Sequence, residues 1–387
     1  MRLRGIVFRE RKPADLSASE LLRIDLCWSA AVGLGIVDNI RGSGFQALNL
    51  LLSLRAGEPL RIARALGYEA CFSANRGVPA HKRTARLCAA AEELAERTGD
   101  AYALAWAAAS RATAAVLEGR FSDAPSSIAL AESRFRDLAG SNWERTSLSR
   151  LHITALVARG RFAELQERVP AELADALERG DLFTAVNMRT GLANLAWVAA
   201  DDPAGARRVV SEAMASWSQQ GFFLQHYFEL LALSQIDLYE GDGAGALARI
   251  HAAWPDLRHS QVLRVEYVRC LMLHLRGRAA VAAGALDEAV GAARRLEAVG
   301  EHARGRALLL RAAIAERQGD RDSALLALRS ARARFDAADF RGYLFGAHHV
   351  EARLVGDAAQ SAAAGAYFAA ERVRNPASFV RMMLPGL

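Results

Sequence analysis

Gly160-Arg161-Phe162 closes one apolar helical pattern and opens the next. The same punctuation comes earlier at Gly119-Arg120-Phe121. It returns at Asp201-Asp202-Pro203, Gly241-Asp242-Gly243, Gly284-Ala285-Leu286 and Gly319-Asp320-Arg321, roughly every 40 residues. A second set lies about half a period away: Gly99-Asp100, Gly140-Ser141, Gly180-Asp181, Gly221-Phe222, Gly300-Glu301 and Ala338-Asp339. Glycine at a helix C-terminus adopts the left-handed conformation at little steric cost. An aspartate after it caps the next helix by accepting from backbone N–H groups. Phe121, Phe162 and Leu286 are placed to dock on the preceding hairpin. Ala124, Ala206, Ala246, Ala289 and Ala324 let helices approach closely. The pattern predicts an all-α chain: an α-solenoid of stacked antiparallel helical hairpins, tetratricopeptide-like but with a period near 40.

Working outward, the turns divide residues 80–355 into hairpins. Residues 80–98 pair with 101–118, 122–138 with 142–159, 161–179 with 181–199, and 203–220 with 222–240. Residues 244–254 pair with a helix near 260–283, 286–299 with 302–318, and 321–338 with 340–355. Upstream, Ser17 or Ser19 caps a first helix, a second runs from about Asp38 to Arg55, and Pro59 opens a third. A last helix near 358–373 ends at Asn375-Pro376, where Asn375 caps a short turn through Phe379 and Met383. Residues 1–15 read as a basic extended arm, and residues 16–387 as one continuous stack.

Apolar residues make up 52% of the chain, much of that alanine, and there are only nine prolines. That composition favours helix. The formal net charge is +6, but Arg2, Arg4, Arg9, Arg11 and Lys12 stand against only Glu10 in the first twelve residues. The body is close to neutral, its arginines alternating with Glu and Asp. It lacks the basic stripe of a nucleic-acid reader, so no nucleic-acid partner is expected. All basic residues except Lys12 and Lys82 are arginine, the usage of a GC-rich bacterial gene. Cys27, Cys71, Cys88 and Cys270 form no CxxC pair and read as buried free thiols of a reducing cytoplasm. No apolar run is long enough to span a bilayer, and no signal peptide follows the basic start, so a cytoplasmic protein without membrane contact is expected.

No GxxxxGK[ST] or strand-flanked GxGxxG is present; Gly33-Leu34-Gly35 and Gly42-Ser43-Gly44 lie between helices. Asp339-Phe340-Arg341 lacks the glycine of a kinase metal-binding triplet. No HExxH occurs, and the adjacent His348 and His349 diverge by about 100° on a helix. No catalytic residue, metal ligand or cofactor is therefore assigned.

Two polar clusters interrupt otherwise apolar helices. Asn187, Thr190, Gly191 and Asn194 fall at i, i+3, i+4 and i+7, one helical face, flanked by Arg189 and Trp197. Trp217-Ser218-Gln219-Gln220 leads to Gln225-His226-Tyr227, with Gln235 and Asp237 further on. On successive hairpins such positions line one groove, or they satisfy buried backbone groups between helices. The candidate partner-binding groove comprises Asn187, Arg189, Asn194, Trp217, Gln225, His226, Tyr227 and Gln235. A closed small-molecule pocket near Trp217 and His226 is the competing expectation. The tryptophans, about one per hairpin, read as packing between repeats.

Several strings carry a resemblance. They are Ile24-Asp25-Leu26-Cys27-Trp28-Ser29, Val37-Asp38-Asn39-Ile40-Arg41-Gly42, Phe45-Gln46 and Leu54-Arg55-Ala56-Gly57-Glu58-Pro59. Later come Asn187-Met188-Arg189-Thr190-Gly191-Leu192, Trp217-Ser218-Gln219-Gln220-Gly221-Phe222, Gln235-Ile236-Asp237-Leu238-Tyr239 and Val373-Arg374-Asn375-Pro376. Together they resemble the C-terminal helical region of large bacterial serine/threonine protein kinases of the myxobacterial kind. There an N-terminal kinase precedes a signal-transduction ATPase module and then the repeats. Neither module's motifs occur here, so no catalytic residue carries over. The resemblance implies a sensor or docking region with a protein or peptide partner, such as a kinase or ATPase module. It also implies a stack whose first hairpin exposes an apolar edge, open to self-association or to cover by the basic arm.

Overall fold

The turns do what their residues predict. In the computed structural model, which describes residues 5–218 and 220–387, the described residues form twenty α-helices and no strand. The readings on Arg2, Leu3, Arg4 and Gln219 lie outside the described residues. Gly99, Gly119, Gly140, Gly160, Gly180, Gly221, Gly241, Gly284 and Gly319 all have φ between +66° and +88°. Asp201 and Asp339 occupy the same left-handed region at φ +58° and +57°. These are positions where the repeat lacks its glycine, and aspartate tolerates that conformation better than most residues. The aspartates cap as expected: Asp100, Asp181, Asp202, Asp242, Asp320 and Asp357 each accept from a backbone N–H three residues on.

The chain forms two compact units, residues 1–152 with 264–267, and residues 153–263 with 268–387. The first holds α1 (Ala18–Val37), α2 (Asn39–Ala56), α3 (Pro59–Ala74), α4 (His81–Thr98), α5 (Ala101–Leu117), α6 (Ala124–Arg136) and the start of α7 (Asn142–Arg159). Ser17 and Glu20 form the capping box of α1. Glu58 caps α3 by accepting from Leu60 and Arg61 N–H at 3.0 and 2.9 Å. Trp28, Tyr68 and Trp106 meet edge-to-face with centroids 5.1–5.7 Å apart. Asp25 takes the guanidinium of Arg61 at 2.5 Å and that of Arg64 at 2.7 Å. The described part of the basic arm lies on this unit: Arg11 N–H donates to Gly57 O at 2.9 Å, and Ile6 and Phe8 pack against the core. Leu22 and Leu26 on α1 remain exposed.

The second unit contains α8 (Phe162–Glu178), α9 (Leu182–Arg189), α10 (Leu195–Ala199), α11 (Pro203–Ala215), α12 (Leu224–Glu240), α13 (Gly243–His259) and most of α14 (Glu266–Ala282). It continues through α15 (Leu286–Glu297), α16 (Glu301–Arg317), α17 (Arg321–Ala337), α18 (Arg341–Val355), α19 (Ala358–Ala370) and α20 (Pro376–Met383). Successive helices pack as hairpins. Ala206, Ala246, Ala289 and Ala324 are fully buried at the close approaches, and Phe162 is 2% exposed.

Its C-terminal segment departs from a simple stack. Residues 367–386 lie across one row of turns and meet them in chain order. Tyr367 Oη donates to Gly160 O at 2.8 Å, and Arg374 N–H donates to Ala199 O at 2.9 Å. Arg381 donates to Tyr239 O at 2.9 Å, and Gly386 sits against Val281 and Arg317. Phe379 is fully buried, 4.8 Å from the Phe162 ring.

This crossing separates two otherwise equivalent glycines. A methyl group on Gly99 would meet open space, whereas one on Gly160 would run into the Tyr367 hydroxyl and the Gly342 backbone. Gly99→Ala is expected to lower stability by about 1 kcal/mol, the left-handed penalty alone. Gly160→Ala is expected to cost clearly more. Scanning calorimetry of both variants tests this, and equal losses in Tm would contradict the contact.

Candidate functional site

The polar segment expected to lie on one helical face breaks its helix instead. Thr190 is extended (φ −121°, ψ 177°) and Gly191 is left-handed at φ +59°, so α9 stops at Arg189 and α10 begins only at Leu195. The cause is tertiary. Gly191 N–H donates to Phe228 O at 3.0 Å, and a side chain on Gly191 would crowd the Phe228 ring. Asn194 stabilises the break through its Nδ2, which donates to Arg189 O and to Ala206 O, each at 3.0 Å. Thr190 Oγ1 donates back to Val186 O at 2.8 Å. Asn187, Thr190, Gly191 and Asn194 therefore do not share one continuous helix. The fold does bring this segment against the start of α12, where Gln225, His226 and Tyr227 lie.

Of the eight candidate residues, Asn187, Asn194, Gln225, Tyr227 and Gln235 are buried, each at most 5% exposed. Arg189, Trp217 and His226 are partly exposed. His226 Nδ1 accepts from Phe223 N–H at 3.0 Å and so caps α12. Burial lowers its pKa. Trp217 packs near Phe183 at 6.3 Å and joins a small apolar cluster with Val186, Val210 and Met214. The amide of Asn187 and the Nε2 atoms of Gln225 and Gln235 are buried without a hydrogen-bond partner among the described residues. Nearby, buried Asp237 takes Arg207 at 2.6 Å and Arg249 at 2.9 Å. In this conformation the cluster is interior polar structure joining α9, α10, α11 and α12.

A second group of polar and apolar contacts lies on the turn row crossed by residues 367–386. Glu371 reaches back to α8, whose N-cap Arg161 makes no side-chain cap of its own. Glu371 Oε2 accepts from Ala163 N–H at 3.1 Å, and Oε1 lies 3.5 Å from the Arg161 guanidinium. Gln166 donates to the carbonyls of Glu371 and Arg372 at 3.4 and 3.3 Å. Asn375 caps α20 by accepting from Ser378 N–H at 3.1 Å, and Pro376 occupies its first turn. From α20, Phe379, Val380, Met382, Met383 and Leu384 are all no more than 5% exposed.

Beneath the end of α20 sit charged side chains that the sequence reading did not single out. Arg278 on α14 is 4% exposed and donates from Nη1 to Met382 O at 2.9 Å. His274, one turn earlier, is 1% exposed, its Nδ1 3.4 Å from the Tyr343 hydroxyl. Arg306 on α16 is 2% exposed, its guanidinium 5.0 Å above the Phe340 ring and 5.6 Å above Tyr343. Burial, reinforced by Arg278 and Arg306, holds the His274 pKa well below the ordinary value. The available signal was spacing, for Cys270, His274 and Arg278 recur at i, i+4 and i+8, one face of a helix that is otherwise buried. The four cysteines are free and buried, with burial raising the Cys71 thiol to about 11 and that of Cys88 to about 12. Among the described residues no His, Cys, Asp and Glu cluster could hold a metal ion, and no helix is long and apolar enough to cross a membrane.

No family model matches the chain, and no curated protein is significantly similar to it.

Two measurements follow from this geometry. Asn194→Ala removes an amide that bridges two backbone carbonyls and is expected to cost about 1–3 kcal/mol in chemical denaturation. A neutral result would mean that Asn194 does not stabilise the helix break. For His274 the folded pKa lies below 6.5, so below that pH the unfolded chain takes a proton that the folded chain refuses. Its contribution is intact above 6.5 and is lost as pH falls toward the folded value. His226, His348 and His349 shift in the same direction and add to the slope. From about pH 7.5 to about pH 5.5, His274→Gln should lose less Tm than the parent chain.

Proposed function

We propose that this chain is a non-catalytic protein-interaction scaffold that takes a partner helix on the turn row its own C-terminal segment now covers. One observation carries the reading. An eight-residue helix too short to persist in water is held by Phe379, Val380, Met382 and Met383 on a surface built from several separate helices. That is the helix-in-groove mode of peptide recognition, with apolar anchors on one side of a short amphipathic helix. The row also presents backbone carbonyls at Ala199 and Tyr239, which take donors from Arg374 and Arg381 of the segment. The partner helix would match these features and displace residues 372–387.

The setting rests on the quoted strings that resemble the helical region of bacterial serine/threonine kinases. On that reading the scaffold docks or regulates a kinase or ATPase module supplied by another part of the system. The interior amides at Asn187, Gln225 and Gln235 then support the scaffold and do not grip the partner.

A labelled peptide of residues 372–387 tests the surface. It should bind a full-length Phe379→Ser, Met383→Ser chain, whose own segment is weakened, and bind the parent chain far less. A folded variant, verified by circular dichroism, that binds the peptide no better than the parent would sink the reading.

A further inference from the structure

Among the described residues no carboxylate acts on Arg278; the groups that do are Tyr343 and Arg306. Arg278 Nη1 meets only a neutral acceptor, the Met382 carbonyl, and its Nε is buried with no partner. An arginine keeps its proton even when buried, so the positive charge stays. The guanidinium of Arg306 lies close enough to act on it with like charge. His274 adds a second buried donor. When its Nδ1 accepts from the Tyr343 hydroxyl, the ring proton sits on Nε2, which also lacks a partner. Arg278 Nε–H and His274 Nε2–H thus belong to residues one turn apart on one face of α14, with the Arg306 guanidinium close enough to act on both groups. Buried charges are stable when paired and hydrogen-bonded, and Arg278 is the positive half of such a pair with no acid acting on it among the described residues.

We infer that Arg278, with His274 and Arg306 beside it, forms a binding site for a compact oxyanion, a phosphate or a small carboxylate, taken up in exchange for the Met382 carbonyl. Guanidinium groups hold both anions through paired N–H donors. The Met382 carbonyl is a weaker acceptor than either, and it is delivered by α20. Uptake of the anion therefore releases the end of α20 from α14, making the C-terminal segment the moving part of a small-molecule sensor. The site would hold its anion whether or not the turn row takes a partner protein.

The test uses the full chain, with inorganic phosphate and malonate as separate probes and sodium chloride at matched ionic strength as the reference. At least one probe should raise Tm by a few degrees in a saturable way, as a ligand of the folded state does. The probe that acts identifies the class of oxyanion. Arg278→Gln, which keeps a donor for Met382 O but loses the charge, should abolish the rise. In the parent chain, the same probe at saturation should quicken amide hydrogen exchange in residues 379–384, a readout that needs no variant. The inference is overturned if neither probe exceeds chloride, if Arg278→Gln responds equally, or if exchange in that segment does not change.

Discussion

Every α-helix ends in carbonyls that its own residues cannot satisfy. In the second unit that constraint is met from far along the chain. Gly160 O, Ala199 O and Tyr239 O stand at or just beyond the ends of α7, α10 and α12, and each accepts from a residue between Tyr367 and Arg381. The same logic runs in reverse at α8, where the orphan N–H of Ala163 finds the Glu371 carboxylate. The turn row and the C-terminal segment complete one another. The row leaves acceptors open in an ordered line, and the segment presents donors in the same order.

This reciprocity explains why so short a helix as α20 persists. Eight residues cannot offset the cost of helix nucleation alone. Asn375 and Pro376 set its first turn, and Phe379 buries its ring against Phe162 and Phe368. Removing the segment would expose the apolar residues and free the carbonyls together. A replacement must supply both an apolar stripe and backbone-directed donors, which narrows the kind of chain able to take its place.

Features set by neighbouring residues were legible in the sequence. Both turn rows, their left-handed glycines and the aspartate caps depend on residues within one turn of each other. Even the gaps at Asp201 and Asp339 follow, since aspartate takes glycine's place in the left-handed region. The break at Thr190 was not legible. Asn187, Thr190 and Asn194 have the spacing of a helical face, but Gly191 N–H turns to the Phe228 carbonyl on another helix and the Asn194 amide to Ala206 O on a third. The covering of the turn row was hidden for the same reason. Asn375 announced a cap and Phe379 an anchor, but nothing near them in sequence says which helices they meet.

The treatment of charge in the rest of the molecule sets Arg278 apart. The chain repeatedly places two arginines on one acid: Arg61 and Arg64 on Asp25, Arg207 and Arg249 on Asp237, Arg159 and Arg341 on Asp339, Arg329 and Arg332 on Glu351. At Asp237, Asp339 and Glu351 the carboxylate is the more enclosed partner, whereas Asp25 is more exposed than Arg61 and Arg64, and all of these guanidiniums retain contact with solvent. That ordering follows from desolvation, which penalises an isolated buried ion most. Arg278 inverts it, being a buried guanidinium that faces another guanidinium and a neutral imidazole. A helical repeat needs no such group for packing, because an apolar side chain at this position of α14 would fill the same space without the electrostatic cost. The departure falls where the end of α20 meets α14, so the unmatched charge lies against the Met382 carbonyl.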